Sequence, residues 1–166
     1  MSIDLLKRLG LFVALCVVQI LVLNHIHLFG MAIPLLYIYF AITFHRNSPK
    51  WVILLWCFAI GLAVDVFSNT PGLAAGSMTL IAVIQPYLLE LFVPRDSIEE
   101  LEVSAKSLGW GSFTTFSAIL IFIFCLAFFA VEAFTFYNWV HWLTCAISSA
   151  VLTLILILAI ESVRTK

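Results

Sequence analysis

Few side chains in this chain have chemistry to offer, and the most conspicuous is Asp65, an acid near the end of the apolar run Trp51–Phe67. An aspartate costs about 2.5–3.5 kcal/mol at the centre of a membrane helix and less toward its end, so it demands solvent or a partner. The C-terminal end of a helix is also the negative end of the backbone dipole, which repels an acid. The residues that follow supply the remedy. Thr70 has the side chain of an N-cap, Pro71 the fixed φ of a first helical position, and the next helix then starts with free amides facing back toward Asp65. Asp65 and the residues around it are therefore expected either to anchor the end of one helix to the start of the next or to form a partner-docking site. Gly61, one turn before it on the same face, and Gly72-x-x-x-Gly76 provide small surfaces on which helix backbones can approach.

The remaining reactive residue types do not converge. His25, His27, Glu132 and His141 all fall in or beside loops on one predicted side, but His25 and His27 alternate, and no spacing matches a zinc site. No metal or cofactor is expected. Cys16, Cys57, Cys125 and Cys145 lie in different apolar runs and serve as small apolar residues. A membrane enzyme would need a nucleophile with its base or several carboxylates at helical spacing, and an ion path would need several buried ionisable groups. Only Asp65 and Glu90 intrude, near opposite ends of the apolar layer, which points away from catalysis and ion transport. Phe136, Tyr137, Trp139 and Trp142 could line an outward ligand site, although an interfacial aromatic belt explains them equally.

The elements that must position these groups follow from composition. Of 166 residues, 64% are hydrophobic and 10% charged, against roughly 25% charged in soluble domains. This is the make-up of an all-α integral membrane protein with one domain. Apolar runs near the roughly 20 residues that cross a bilayer predict six transmembrane helices, at 9–24, 28–44, 51–67, 73–93, 111–131 and 139–160. The first is a membrane helix and not a cleaved leader, because it contains Gln19 and runs into Asn24-His25-Ile26-His27 with no small-residue cleavage site. The second is short and carries Pro34, which is tolerated in a first turn. Gln85-Pro86 should bend the fourth, and Thr144, Ser148, Ser149 and Thr153 with Ala146 and Ala150 give the sixth a small, weakly polar packing face.

Between the fourth and fifth spans, residues 97–108 predict a short amphipathic surface helix. Ser97 and Glu100 form a capping box, and the apolar stripe is Ile98, Leu101, Ala105 and Leu108. Its Glu99, Glu100 and Glu102 are a candidate cytoplasmic contact for a basic partner surface. Six spans put Lys7, Arg8, Arg46, Lys50, Arg95, Lys106, Arg164 and Lys166 all on one side, which predicts cytoplasmic N- and C-termini and an outward Asp65–Gly72 turn. Nothing basic and continuous is present to bind nucleic acid.

With these residues in view, the chain resembles the MreD family of bacterial rod-shape-determining membrane proteins. The resemblance rests on Gly61, Asp65, Pro71 and Gly72, which match the family's glycine, aspartate, turn and helix-opening glycine, and on hydropathy over the rest of the chain. The Asn69-Thr70-Pro71-Gly72, Gln85-Pro86 and Pro94-Arg95-Asp96 segments look like the Bacteroides-type branch. The resemblance implies a compact bundle similar to the substrate-binding subunits of energy-coupling-factor vitamin transporters. It implies a non-enzymatic role in the inner-membrane cell-elongation machinery with MreC, MreB, RodA and a penicillin-binding transpeptidase. The shared architecture also supplies the alternative, a substrate-capturing subunit of such a vitamin transporter.

Overall fold

The computed structural model describes residues 2–23, 33–45, 48–93, 103–133 and 139–165. Within them the chain is all-helical: α1 (Ser2–Leu21), α2 (Ile38–Ile42), α3 (Lys50–Ser68), α4 (Leu73–Phe92), α5 (Ala105–Leu108), α6 (Trp110–Ala133) and α7 (Trp139–Arg164). Among the described residues, four helices (α3, α4, α6 and α7) are long and apolar enough to cross a membrane. Their outer faces are apolar as well. Trp51, Leu55, Phe58, Leu62 and Val66 recur at three- and four-residue spacing along the exposed side of α3, and Ile147, Val151 and Ile155 do so on α7. Such surfaces suit lipid, since a soluble protein rarely exposes large continuous apolar patches.

The expected helix at 28–44 is corrected by the structure over its described part. Residues 33–35 are non-helical, Leu36 and Tyr37 form a turn, and only Ile38–Ile42 is α-helical; residues 28–32 lie outside the described residues. A membrane interior tolerates irregular backbone only where protein satisfies it. Here side chains do so: Ile33 N donates to Ser149 Oγ at 3.0 Å and Leu35 N to Thr153 Oγ1 at 3.1 Å. Leu36 N donates to Gln19 Oε1 at 2.9 Å, while Gln19 Nε2 donates to the Pro34 carbonyl at 2.9 Å. The polar face of α7 is thus a set of acceptors for a broken strand of chain, not only a packing surface; Ser149 and Thr153 are buried while Thr144 is exposed.

This segment is the core. Leu35–Ile42 and Phe44 are all buried, and Phe40 meets Phe12, Phe44 and Trp56 at ring-centroid distances of 5.9, 5.3 and 6.0 Å. Edge-on arrangements such as Tyr37 against Phe124, at 5.5 Å and 88°, are favourable for aromatic quadrupoles.

The segment also runs between two cavities. Ile33, Leu35 and Tyr37 line one beside Asp65, whereas Tyr39, Phe40, Thr43, Phe44 and His45 line another beside Lys7, Arg8 and Arg164. These cavities mark two ends of the bundle. The C-termini of α1, α3 and α6 and the N-terminus of α4 meet at the first, and the N-terminus of α1 and the C-terminus of α7 meet at the second.

The surface helix expected over 97–108 is also corrected over its described part, residues 103–108. Val103 and Ser104 are non-helical, α5 covers Ala105–Leu108 alone, and the capping box is formed by Ser104 and Ser107. The expected Ser97–Glu100 box, with Glu99, Glu100 and Glu102, lies outside the described residues. Gly109, at φ 83°, turns the chain directly into α6. In the last helix, α7 continues four residues beyond 160 and brings Glu161 inside the fold.

Candidate functional site

The corner between α3 and α4 is built from a shortage of hydrogen-bond partners. A helix start leaves backbone N–H groups without intrahelical acceptors, and in an apolar layer water does not supply them. In α4, Leu73 N donates to the Thr70 carbonyl at 3.4 Å, Ala74 N to Asp65 Oδ1 at 2.8 Å, and Ala75 N to Asp65 Oδ2 at 2.9 Å. Gly76 N then makes the first helical bond, to Gly72 O at 3.0 Å. The aspartate is only 3% exposed, and both its oxygens are used. Thr70 Oγ1 donates to Asp65 Oδ1 at 3.0 Å as a third partner.

The same residue closes α3. The Asp65 carbonyl accepts from Asn69 N and, at 3.2 Å, from Thr70 N, with Asn69 in the left-handed conformation at φ 56°, ψ 37°. Asn is among the few residues other than Gly that adopt this conformation readily. Backbone and side chain of one residue thus hold the end of α3 and the start of α4. The repulsion from α3's own dipole is offset by the positive end of α4's.

Two expected roles change. Thr70 is not the N-cap and Pro71 is not the first helical residue: the N-cap is Gly72, with no side-chain cap of its own, and the helix begins at Leu73. Asp65 reaches across from α3 and fills the capping position, so Thr70 is free to support Asp65 and Pro71 occupies a turn. Gly72, at φ 84° and ψ −3°, has the geometry of the third residue of a type II turn Thr70-Pro71-Gly72-Leu73, for which Pro at the second position and Gly at the third are preferred.

The glycines divide as well. A Cβ on Gly61 would lie 2.5 Å from Ala75 Cα and 2.7 Å from both Ala74 O and Ala75 N, so α3 and α4 touch backbone to backbone there. Gly76 has nothing within 4 Å of its Cβ position and is exposed. The expected Gly72-x-x-x-Gly76 packing stripe is thus replaced by Gly61 against Ala74 and Ala75, because Asp65 draws those two amides, and not Gly76, onto α3.

The corner forms one wall of the first cavity, about 470 Å³. Val64, Phe67, Thr70 and Ala74 line it from the corner, Tyr37 from the core, and Glu132 from the end of α6. The Tyr37 hydroxyl is buried and makes no hydrogen bond among the described residues. Trp139, Trp142 and His141 do not line this cavity, and Phe136, Tyr137, His25 and His27 lie outside the described residues. Glu90 is exposed near the end of α4.

A second carboxylate does comparable work at the opposite end, one to which sequence reasoning assigned no role. Glu161 is fully buried; its Oε1 accepts from Ala105 N at 2.8 Å and its Oε2 from the Tyr39 hydroxyl at 2.8 Å. Arg164 stands beside it, Nη1 4.0 Å from Oε2 and 3.4 Å from the Tyr39 oxygen. The signal was present as a four-residue repeat: Ser149, Thr153, Ile157 and Glu161 share one buried face of α7. Asp65 accepts from the second and third amides of α4 and Glu161 from the first amide of α5, and their chemistry is that of fixed braces. No protein-family model, curated protein or solved structure matches the chain.

Proposed function

We propose that this chain is a non-enzymatic membrane scaffold of a bacterial cell-elongation complex, supporting peptidoglycan synthesis and cell shape through partners such as MreC. MreB, RodA and a penicillin-binding transpeptidase would be engaged directly or through MreC. The observation that carries the reading is the Asp65 corner. Gly61, Asp65, Pro71 and Gly72, which give the resemblance to the MreD family its specificity, each have a distinct mechanical role there. A buried acid held by three donors is suited to fixing a surface, not to moving a proton.

The finer architecture belongs to the same proposal. The chain crosses the inner membrane six times, with α1, α3, α4, α6 and α7 joined by the segment around α2 as a short, broken crossing. The run of that segment from the Asp65 cavity to the basic cleft supports this. Both termini would be cytoplasmic: Lys7, Arg8 and Arg164 gather at the end opposite Asp65, and Lys50 and Lys106 sit at the α3 start and in α5, on that same side. The test is affinity purification of the tagged protein from its host in mild detergent. Co-purification of MreC or the elongation synthases is expected.

The substrate-capturing alternative has one observation in its favour, the cavity beside Asp65 with a Tyr37 hydroxyl that has no hydrogen-bond partner among the described residues. Under that reading the same purification returns cassette ATPases with a second transmembrane subunit, and the scaffold proposal fails.

A further inference from the structure

The cavity at the Asp65 end has an electrostatic character that the charges of the whole chain decide. It occupies about 470 Å³, in the range of small-molecule sites, with apolar walls from Leu35, Val64, Leu73 and Phe128 and with Glu132 exposed at the end of α6. The C-termini of α1, α3 and α6 meet there, so the negative ends of three helix dipoles converge on it. The one positive end is that of α4, whose Ala74 and Ala75 amides are already bonded to Asp65.

No lysine or arginine balances this end. Lys7, Arg8 and Arg164 line the opposite cleft, Lys50 starts α3 whereas the cavity lies at its end, and Lys106 follows the Ala105 amide that Glu161 holds. The other three, Arg46, Arg95 and Lys166, come within two residues of His45, Val93 and Thr165, all at the opposite end. Two residues of extended chain span about 7 Å, far short of the roughly 28 Å length of α3 with its 19 residues. Residues 24–32 and 134–138 contain no Lys, Arg, Asp or Glu, and His25, His27 and His141 are neutral at about pH 8. Asp65 and Glu132 therefore leave this end with a net negative charge.

We infer that this cavity binds a small organic cation, an ammonium with an apolar body, its charge beside Glu132 and the helix C-termini and its body against Leu35, Val64, Leu73 and Phe128. One rim carboxylate among apolar walls lacks the set of oxygen ligands that a hard metal ion needs, whereas aromatic side chains such as Phe67 and Phe128 in the wall favour an ammonium. The inference gives the substrate-capturing reading its ligand class but does not require it. Binding and co-purifying partners are separate measurements, so either can fail without the other.

The test is equilibrium dialysis of the purified full chain in an uncharged detergent at about pH 8, with protein-free micelles as the blank. The probes share one shape and differ in charge: phenylbutylamine, phenylbutanol and phenylbutyrate. The parent is expected to bind the amine about fivefold more tightly than the alcohol and to hold the carboxylate no better than the blank. Glu132→Gln, at an exposed position and checked for folding by its melting temperature, should weaken the amine about fivefold and leave the alcohol unchanged. Glu132→Lys should reverse the order, retaining the carboxylate in preference to the amine. Equal binding of amine and alcohol by the parent, no probe held above the blank, or Glu132→Gln indistinguishable from the parent overturns the proposal. So does sodium displacing the amine at equal concentration, since the site would then take a bare cation.

Discussion

Replacing Asp65 with alanine isolates what the corner contributes. The substitution removes the acceptor for two backbone amides, Ala74 and Ala75, and for the Thr70 hydroxyl, all in a site where the aspartate is 3% exposed. Leaving a buried donor without its partner costs about 1–3 kcal/mol, so the two amides alone put the loss at about 2–6 kcal/mol. Relief from desolvating a carboxylate acts the other way and pulls the net figure to about 3 kcal/mol. For a chain of this size that corresponds to a melting temperature lower by roughly 6–12 °C. Asp65→Asn keeps one carbonyl oxygen but turns an NH2 toward the second amide, and should lose about half as much. The assay is thermal unfolding in detergent followed by size-exclusion chromatography. An Asp65→Ala protein that melts within about 1 °C of the parent would refute the anchoring argument. Unchanged melting with loss of co-purifying partners would make Asp65 a docking residue.

Gly61→Ala should destabilise by about 1–3 kcal/mol, because its Cβ meets the backbone of Ala75 and no side chain can move aside. Gly76→Ala, with open space around it, should be neutral or stabilising by up to about 1 kcal/mol, and the contrast can be read in the same melting assay. Gln19→Leu leaves the Leu36 amide and the Pro34 carbonyl without their shared partner and should cost about 2–4 kcal/mol, again as lost thermal stability. Glu161→Ala should release α5: a cysteine introduced by Ala105→Cys, buried in the parent, should then react several-fold faster with a maleimide, and an unchanged rate would show that Glu161 does not hold α5.

How much of this was legible in the sequence depends on whether a residue's partner lay nearby. Asp65 stood out because one acid in an apolar run, followed by Ser-Asn-Thr-Pro-Gly, has its candidate donors within ten residues of it. Even so, Thr70 and Pro71 look like a cap and a first turn when read locally, and only the reach of Asp65 from the preceding helix displaces them. Glu161 was hidden by position: at the end of the last apolar run, beside Ser162 and Arg164, an acid reads as a solvated terminus. Its burial comes from Tyr39 and Ala105, residues remote in sequence. The second span shows the limit of hydropathy. The run from Leu28 to Phe44 is apolar enough for a helix, and Pro34 alone leaves a first-turn reading open. What breaks the helix is the supply of alternative acceptors from Gln19, Ser149 and Thr153, and no count along the segment contains them.

The hydrogen bonds that seat this central segment have a consequence for how the protein is made. Ile33 and Leu35 are 116 and 118 residues ahead of Ser149 and Thr153, and Tyr39 is 122 ahead of Glu161. At about 5–20 residues per second, the ribosome delivers those acceptors roughly 6–25 s after the donors that need them. Through that interval the segment around α2 has Gln19 from α1 but nothing from α7, so its place in the bundle is completed only when α7 packs against it. A chain halted before α7 would therefore hold its core segment unsecured, and quality-control proteases would meet it there.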